Sequence, residues 1–135
     1  MRTRAVLTEE DVVKLAEAAV AHARANQWNV TVAIVDDGAH LLFLRRLDGA
    51  SPITAEIAMA KARTAALGRR ESKVYEDVIK QGRTAFLSAP LTGMLEGGVP
   101  VVVNGDVIGA VGVSGVKSDQ DAAIARAGIA ALGAD

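Results

Sequence analysis

Apolar residues recur at helical spacing near the start of the chain, at Val12, Leu15, Ala16, Ala19, Val20 and Ala23. The spacing predicts a helix from Thr8 to about residue 25. Thr8 and Asp11 form a variant of the capping box, and Glu9, Glu10 and Asp11 suit the positive end of the helix dipole. The periodicity then changes. Val30–Val35 is an almost continuous apolar run, as expected for a strand covered on both faces. Asp36-Asp37-Gly38 reads as a turn and His40–Arg46 as the returning arm, so residues 30–46 form a hairpin. On that arm Leu41, Phe43 and Arg45 share one face, while His40, Leu42, Leu44 and Arg46 share the other.

The second half repeats the theme. A helix over residues 54–67 is capped by Ser51 or Thr54, carries alanine on several sides and is stopped by Gly68. Residues 72–80 form a short amphipathic helix with Val74, Tyr75, Val78 and Ile79 inward. The segment 82–98 contains Pro90, Gly93, Gly97 and Gly98, yet Phe86, Leu87, Leu91, Met94 and Leu95 make it too apolar for free solvent. Such a long irregular segment in a compact domain is usually functional or covers something. Val99–Val103 and Val107–Val113 are β-branched runs joined by Asn104-Gly105, the dipeptide of a tight hairpin turn. Gly109, Gly112 and Gly115 interrupt the second run. Glycine weakens a strand, so this face is expected to meet another backbone, a helix or a ligand at close range. A last helix runs from Asp119 to about Leu132. Paired hairpins rather than alternating strand–helix units predict an antiparallel sheet of four or five strands in an α+β domain.

The 135 residues fit one domain, spanning 1–135. Half are apolar, but only Trp28, Phe43, Tyr75 and Phe86 are aromatic, so the core must be built from Val, Ile, Leu and Ala. There is no cysteine, which excludes disulfides, thiol nucleophiles and thiolate metal sites. A net charge of −1 without a basic block argues against nucleic acid as a partner. No run reaches the roughly 18 apolar residues of a membrane helix, and the polar start Met1-Arg2-Thr3-Arg4 has no apolar signal core. The expected location is the cytoplasm. The apolar, glycine-rich strand faces exceed what a few helices cover, so subunits are expected to pack together with any pocket at their seam.

No nucleotide-binding, zinc-protease, nucleophile-elbow or calcium-loop motif is present. Candidate chemistry therefore rests on single residues. His22 can act as a ligand or as an acid/base; the alternative is a solvated histidine on a helix flank. His40 decorates a strand start or takes part in a site. Lys61, set among Ala58, Ala60, Ala62 and Ala65, either aims at an anion or lays its stem over apolar surface with its ammonium in water. Arg45 or Arg46 can bind a carboxylate bidentately. Glu96, ahead of Gly97-Gly98, is an acid/base or an exposed loop charge. Gly112 and Ser114 lie on the proposed floor. Ser114 has no His/Asp partner to activate it, and Ser118, Asp119 and Asp121 read as helix-start residues.

Four segments, VAIVDDGAHLLFLRRLDGA (32–50), IAMAKARTA (57–65), EGGVPVVVNGDVIGAVGVSG (96–115) and SDQDAAIARAGIAAL (118–132), resemble the GlcG/HbpS-like family in order and spacing. That family also includes the C-terminal domain of PduO-type proteins. The resemblance covers nearly the whole chain. It implies a profilin-like α+β domain with an antiparallel sheet of about five strands, homo-oligomers from dimer to octamer, and haem binding at subunit contacts in some members. It also implies a histidine on the first helix as iron ligand, a role carried here to His22 alone.

Three functional expectations follow, the last of them a purely structural oligomer with no ligand. The first is a cytoplasmic oligomer binding haem or a related planar anionic cofactor, with His22 on the metal and Lys61 or Arg45 on its carboxylates. The second is an enzyme of small-molecule catabolism (a lyase, isomerase or hydratase) with a site between subunits. There Lys61 and an arginine would hold a substrate carboxylate while Glu96 or His22 moves a proton.

Overall fold

The computed structural model describes residues 1–133. Helix α1 (Glu9–Ala25) leads into strands β1 (Thr31–Asp36) and β2 (Leu41–Arg46). Helices α2 (Ile53–Gly68) and α3 (Lys73–Lys80) follow, then a short 3-10 turn (Thr84–Ser88). Strands β3 (Gly98–Val103) and β4 (Asp106–Ser114) and helix α4 (Ser118–Ala130) complete the order. Residues 134–135, the end of the expected domain, lie outside the described residues. Among the described residues no helix is long and apolar enough to cross a membrane.

The strands form one sheet in the order β2-β1-β4-β3, with every neighbouring pair antiparallel. The expectation of about five strands is corrected to four among the described residues. Residues 82–97 add none, and side chains of other elements meet part of their backbone. The Gly93 amide donates to the Thr64 hydroxyl at 3.3 Å, and the Leu95 carbonyl accepts from the Ser72 hydroxyl at 2.5 Å.

The first helix begins as its sequence demands. The Asp11 amide donates to the Thr8 hydroxyl at 3.2 Å, and the Thr8 amide donates back to the Asp11 carboxylate at 2.9 Å. Two other terminus expectations change. Pro52 occupies the start of α2 without a side-chain cap, and the Thr54 hydroxyl instead donates to the Ser51 carbonyl and meets the Thr31 hydroxyl at 2.8 Å. Arg69, with φ +59°, turns the chain out of α2 one residue after Gly68.

The two faces of the sheet differ in bulk. Val32, Ile34, Val99, Val101, Val111 and Val113 pack against α1 and α4. Ala33, Val35 and Ala110 pack against Ala58, Ala62, Ala65 and Ala66 of α2. The small-residue face lets α2 lie almost on the strands. Gly98 and Gly112 are partners across β3 and β4. A Cβ on Gly112 would stand 2.0 Å from the Ala58 carbonyl oxygen, and one on Gly98 would stand 2.2 Å from that of Lys61. The close neighbour foreseen for this stretch is thus the backbone of α2 at Gly112, while Gly109 meets the Leu7 side chain and the Val35 carbonyl and Gly115 meets Asn29 and Val30.

Gly112→Ala should cost about 3 kcal/mol, at the upper end of what overpacking does, because a helix backbone must move to admit the methyl. Urea unfolding measures this, and an unchanged midpoint would contradict the close approach.

Candidate functional site

Lys61 falls on the buried stripe of α2, between Ala58 and Ala62 and Ala65. Only 4% of the residue is exposed. Its stem runs to the end of the sheet, where the ammonium donates to the Val113 carbonyl at 2.9 Å and to Asp121 Oδ2 at 3.1 Å. Asp121, on the first turn of α4, is equally buried, and its Oδ1 accepts from the Val116 amide at 3.1 Å. One ion pair therefore joins α2, β4 and α4. Burial pushes the Asp121 carboxyl above the usual carboxylate range, while the Lys61 ammonium and the Val116 N–H pull part of the way back.

This placement corrects the expectation that Lys61 aims at an external anion. A buried ammonium must be paired, and the partner lies inside the fold. The carboxylate-enzyme reading loses Lys61 by the same geometry and keeps only its arginine as a cation for the substrate. Asp121 was missed as a partner. Its signal was a carboxylate in phase with Ile124, Ala125 and Gly128 along the buried stripe of α4, matching a lysine in phase with the stripe of α2.

The other candidates divide between the two sides of the sheet. Gly112 and Ser114 lie on the α2 side, in register with Ala33 and Thr31 of β1. Gly112 is occupied by helix backbone, and Ser114 is buried where β4 ends. Glu96 is half-buried, its amide donating to the Glu76 carboxylate at 3.2 Å. The residue after it packs on Lys61: a Cβ on Gly97 would stand 2.7 Å from Nζ. Lys61, Gly112 and Ser114 are thus gathered where α2 crosses the end of β4, while Glu96 is tied through its amide to Glu76 of α3.

His22 and Arg45 belong to the α1 side. Arg45 pairs in register with Val32 on edge strand β2 and is exposed, its guanidinium 5.7 Å from the centre of the Phe43 ring. His22 is half-buried near the end of α1, with its ring centre 6.1 Å from that of Trp28 and tilted by 56°. Among the described residues no hydrogen bond reaches its ring nitrogens. His40 differs: its exposed ring places Nδ1 3.1 Å from the Asp36 carboxylate. Burial presses the Asp36 carboxyl upward, but hydrogen bonds from the His40 and Gly38 amides and from the His40 ring outweigh it and hold the carboxyl low. No group of three His, Cys, Asp or Glu side chains able to enclose a metal ion occurs among the described residues. The His22 side can offer one imidazole lone pair beside an aromatic face, which is single-point ligation with apolar contact.

Removing one member of the Lys61–Asp121 pair, by Lys61→Met or Asp121→Asn, should cost about 3–5 kcal/mol, because the survivor stays buried without its partner. Lys61→Met combined with Asp121→Leu should recover most of that loss. Chemical denaturation of the three variants measures it, and single costs below about 1 kcal/mol would show the pair to be solvated instead.

Comparison with known proteins agrees with this architecture. Residues 7–130 match the model of the HbpS-like family, described as haem degrading protein HbpS-like. Protein GlcG of Escherichia coli is 54% identical over 114 residues, covering 84% of this chain and 85% of that one. The crystal structure of a PduOC haem complex superimposes with a TM-score of 0.87 at 29% identity, covering 97% of this chain and 98% of that one. The crystal structure of HbpS gives a TM-score of 0.87 at 34% identity, covering 98% and 94% of the two chains. With nearly its whole length matched in sequence and in fold, the chain belongs to the HbpS-like family.

Proposed function

We propose that this chain binds haem, or a planar anionic cofactor of the same kind, with His22 as the iron ligand. The observation that carries the reading is the state of the His22 ring. It is half-buried beside Trp28 and carries no hydrogen bond among the described residues, so its lone pair is available. Neutral imidazole is a common protein ligand for iron. The similarity to a structure solved as a haem complex supports the same reading.

The fit extends to the surroundings. Trp28 offers an aromatic face to a flat ring system. Arg45 is exposed on the same side of the sheet and can form charge-assisted hydrogen bonds to a propionate. Lys61 cannot serve there, since its ammonium is held by Asp121 and Val113. Bound haem would supply a redox-active iron, and the contribution of the chain would be to hold it through an imidazole and to shield it from water.

A single imidazole on a helix flank leaves most of a porphyrin uncovered, which favours a site completed by another copy. Leu41, Leu42 and Leu44 are 51%, 43% and 39% exposed on β2, at the unpaired edge of the sheet. Such an apolar edge favours association between copies. A homo-oligomer holding the cofactor at a seam is the form we propose.

Titration of the purified protein with haemin should produce a Soret band distinct from that of free haemin. His22→Ala should shift or abolish the band and weaken binding by at least about tenfold, or 1.4 kcal/mol. Unchanged circular dichroism would show that the variant is folded. A wild-type protein that gives no band, or a band indifferent to His22→Ala, would overturn the reading.

A further inference from the structure

A second cluster lies at the opposite end of the sheet from His22 and Lys61. Arg69 uses Nη1 for two backbone carbonyls, those of Asp37 and Ala66. Arg4 pairs with the Asp37 carboxylate and Arg2 with that of Asp106. These three arginines, with Gly105, Asp106 and Val107 of the β3–β4 hairpin, line a cleft of about 490 Å³. The arm that carries Arg2 and Arg4 is anchored by Leu7, which is buried and fills the space beside Gly109.

The charge here is unbalanced. Among the described residues, three guanidinium groups face two carboxylates, one fewer than the positive charges. The excess belongs to Arg69, since both of its partners are neutral carbonyls. Those bonds fix its plane, and among the described residues none occupies its Nε–Nη2 edge, which accepts an oxyanion through two parallel hydrogen bonds. The flanking pairs are solvated; the Arg2 side chain is 76% exposed. Ion pairs of that kind contribute little to stability, so an incoming anion can replace Asp37 or Asp106 at small cost.

We propose that this cleft binds a small oxyanion of the carboxylate or phosphate class, with Arg69 as the forked anchor and Arg2 and Arg4 closing over it. The site is independent of the haem reading, because it shares neither His22 nor Arg45. It lies where the N-terminal arm crosses the tip of a hairpin, so occupation by an anion would tie that arm down.

Calorimetric titration of the full chain at low ionic strength, with malonate and with inorganic phosphate as separate probes, tests the proposal. At least one probe should bind, and affinity should fall as sodium chloride is raised. The tighter probe identifies the class of anion. Arg69→Gln should weaken binding by about tenfold or more, as should Arg2→Gln, whose exposed side chain the fold does not need. If Arg69→Gln lowers the melting temperature by loosening the end of α2, Arg2→Gln and Arg4→Gln carry the test. Haemin titration of the same variants should match the wild type. No binding of either probe, or binding that survives all three substitutions, would overturn the assignment.

Discussion

The architecture depends on how closely α2 approaches the sheet. Gly98 and Gly112 face each other across β3 and β4 and leave a shallow trough in which the helix backbone lies. Residues with any side chain at these positions would lift the helix away. Alanine on the helix and Ala33 and Ala110 on the strands extend the same thin contact. The opposite face is built from valine and isoleucine and supports two helices, α1 and α4. The sandwich is therefore asymmetric, and a single layer of small residues decides where α2 can sit.

Several consequences flow from that position. The Lys61 stem is long enough to reach the end of β4, where its ammonium finds a carbonyl and a carboxylate. A buried pair of this sort is weak evidence for stability, since desolvation consumes much of the attraction. Its effect here is on register. Only one placement of α2 against β4 and α4 lets the Lys61 ammonium, the Val113 carbonyl and the Asp121 carboxylate meet. The segment 93–98 folds over the same region, with Gly93 packed on the Ala60–Lys61 backbone and Gly98 held by the Ser72 hydroxyl. The irregular chain is thus the cover of a structural pair.

This arrangement separates polar residues that look alike in one dimension. Lys61 and Asp121 are consumed in holding layers together. His22 remains uncommitted on the other side of the sheet, and the arginines near the hairpin tip are only partly matched by carboxylates. Availability, and not residue type, distinguishes a group that can meet a ligand from one that cannot.

Much of the fold was legible in the residues alone. The helical stripe of α1 with its Thr8–Asp11 box, both hairpins and the Asn104-Gly105 turn depend on contacts within a few positions, and local chemistry specifies them. The four quoted motifs likewise sufficed for the family. Other features were not legible, because they join distant parts of the chain. Sixty positions separate Lys61 from Asp121, and no local rule says which carboxylate a buried lysine will find. Glycines in β4 announced a close neighbour, but whether that neighbour was a ligand or a helix depended on the packing of α2. Spacing along a chain specifies elements and their faces; which faces meet, and which charges remain free afterwards, is settled when the layers close.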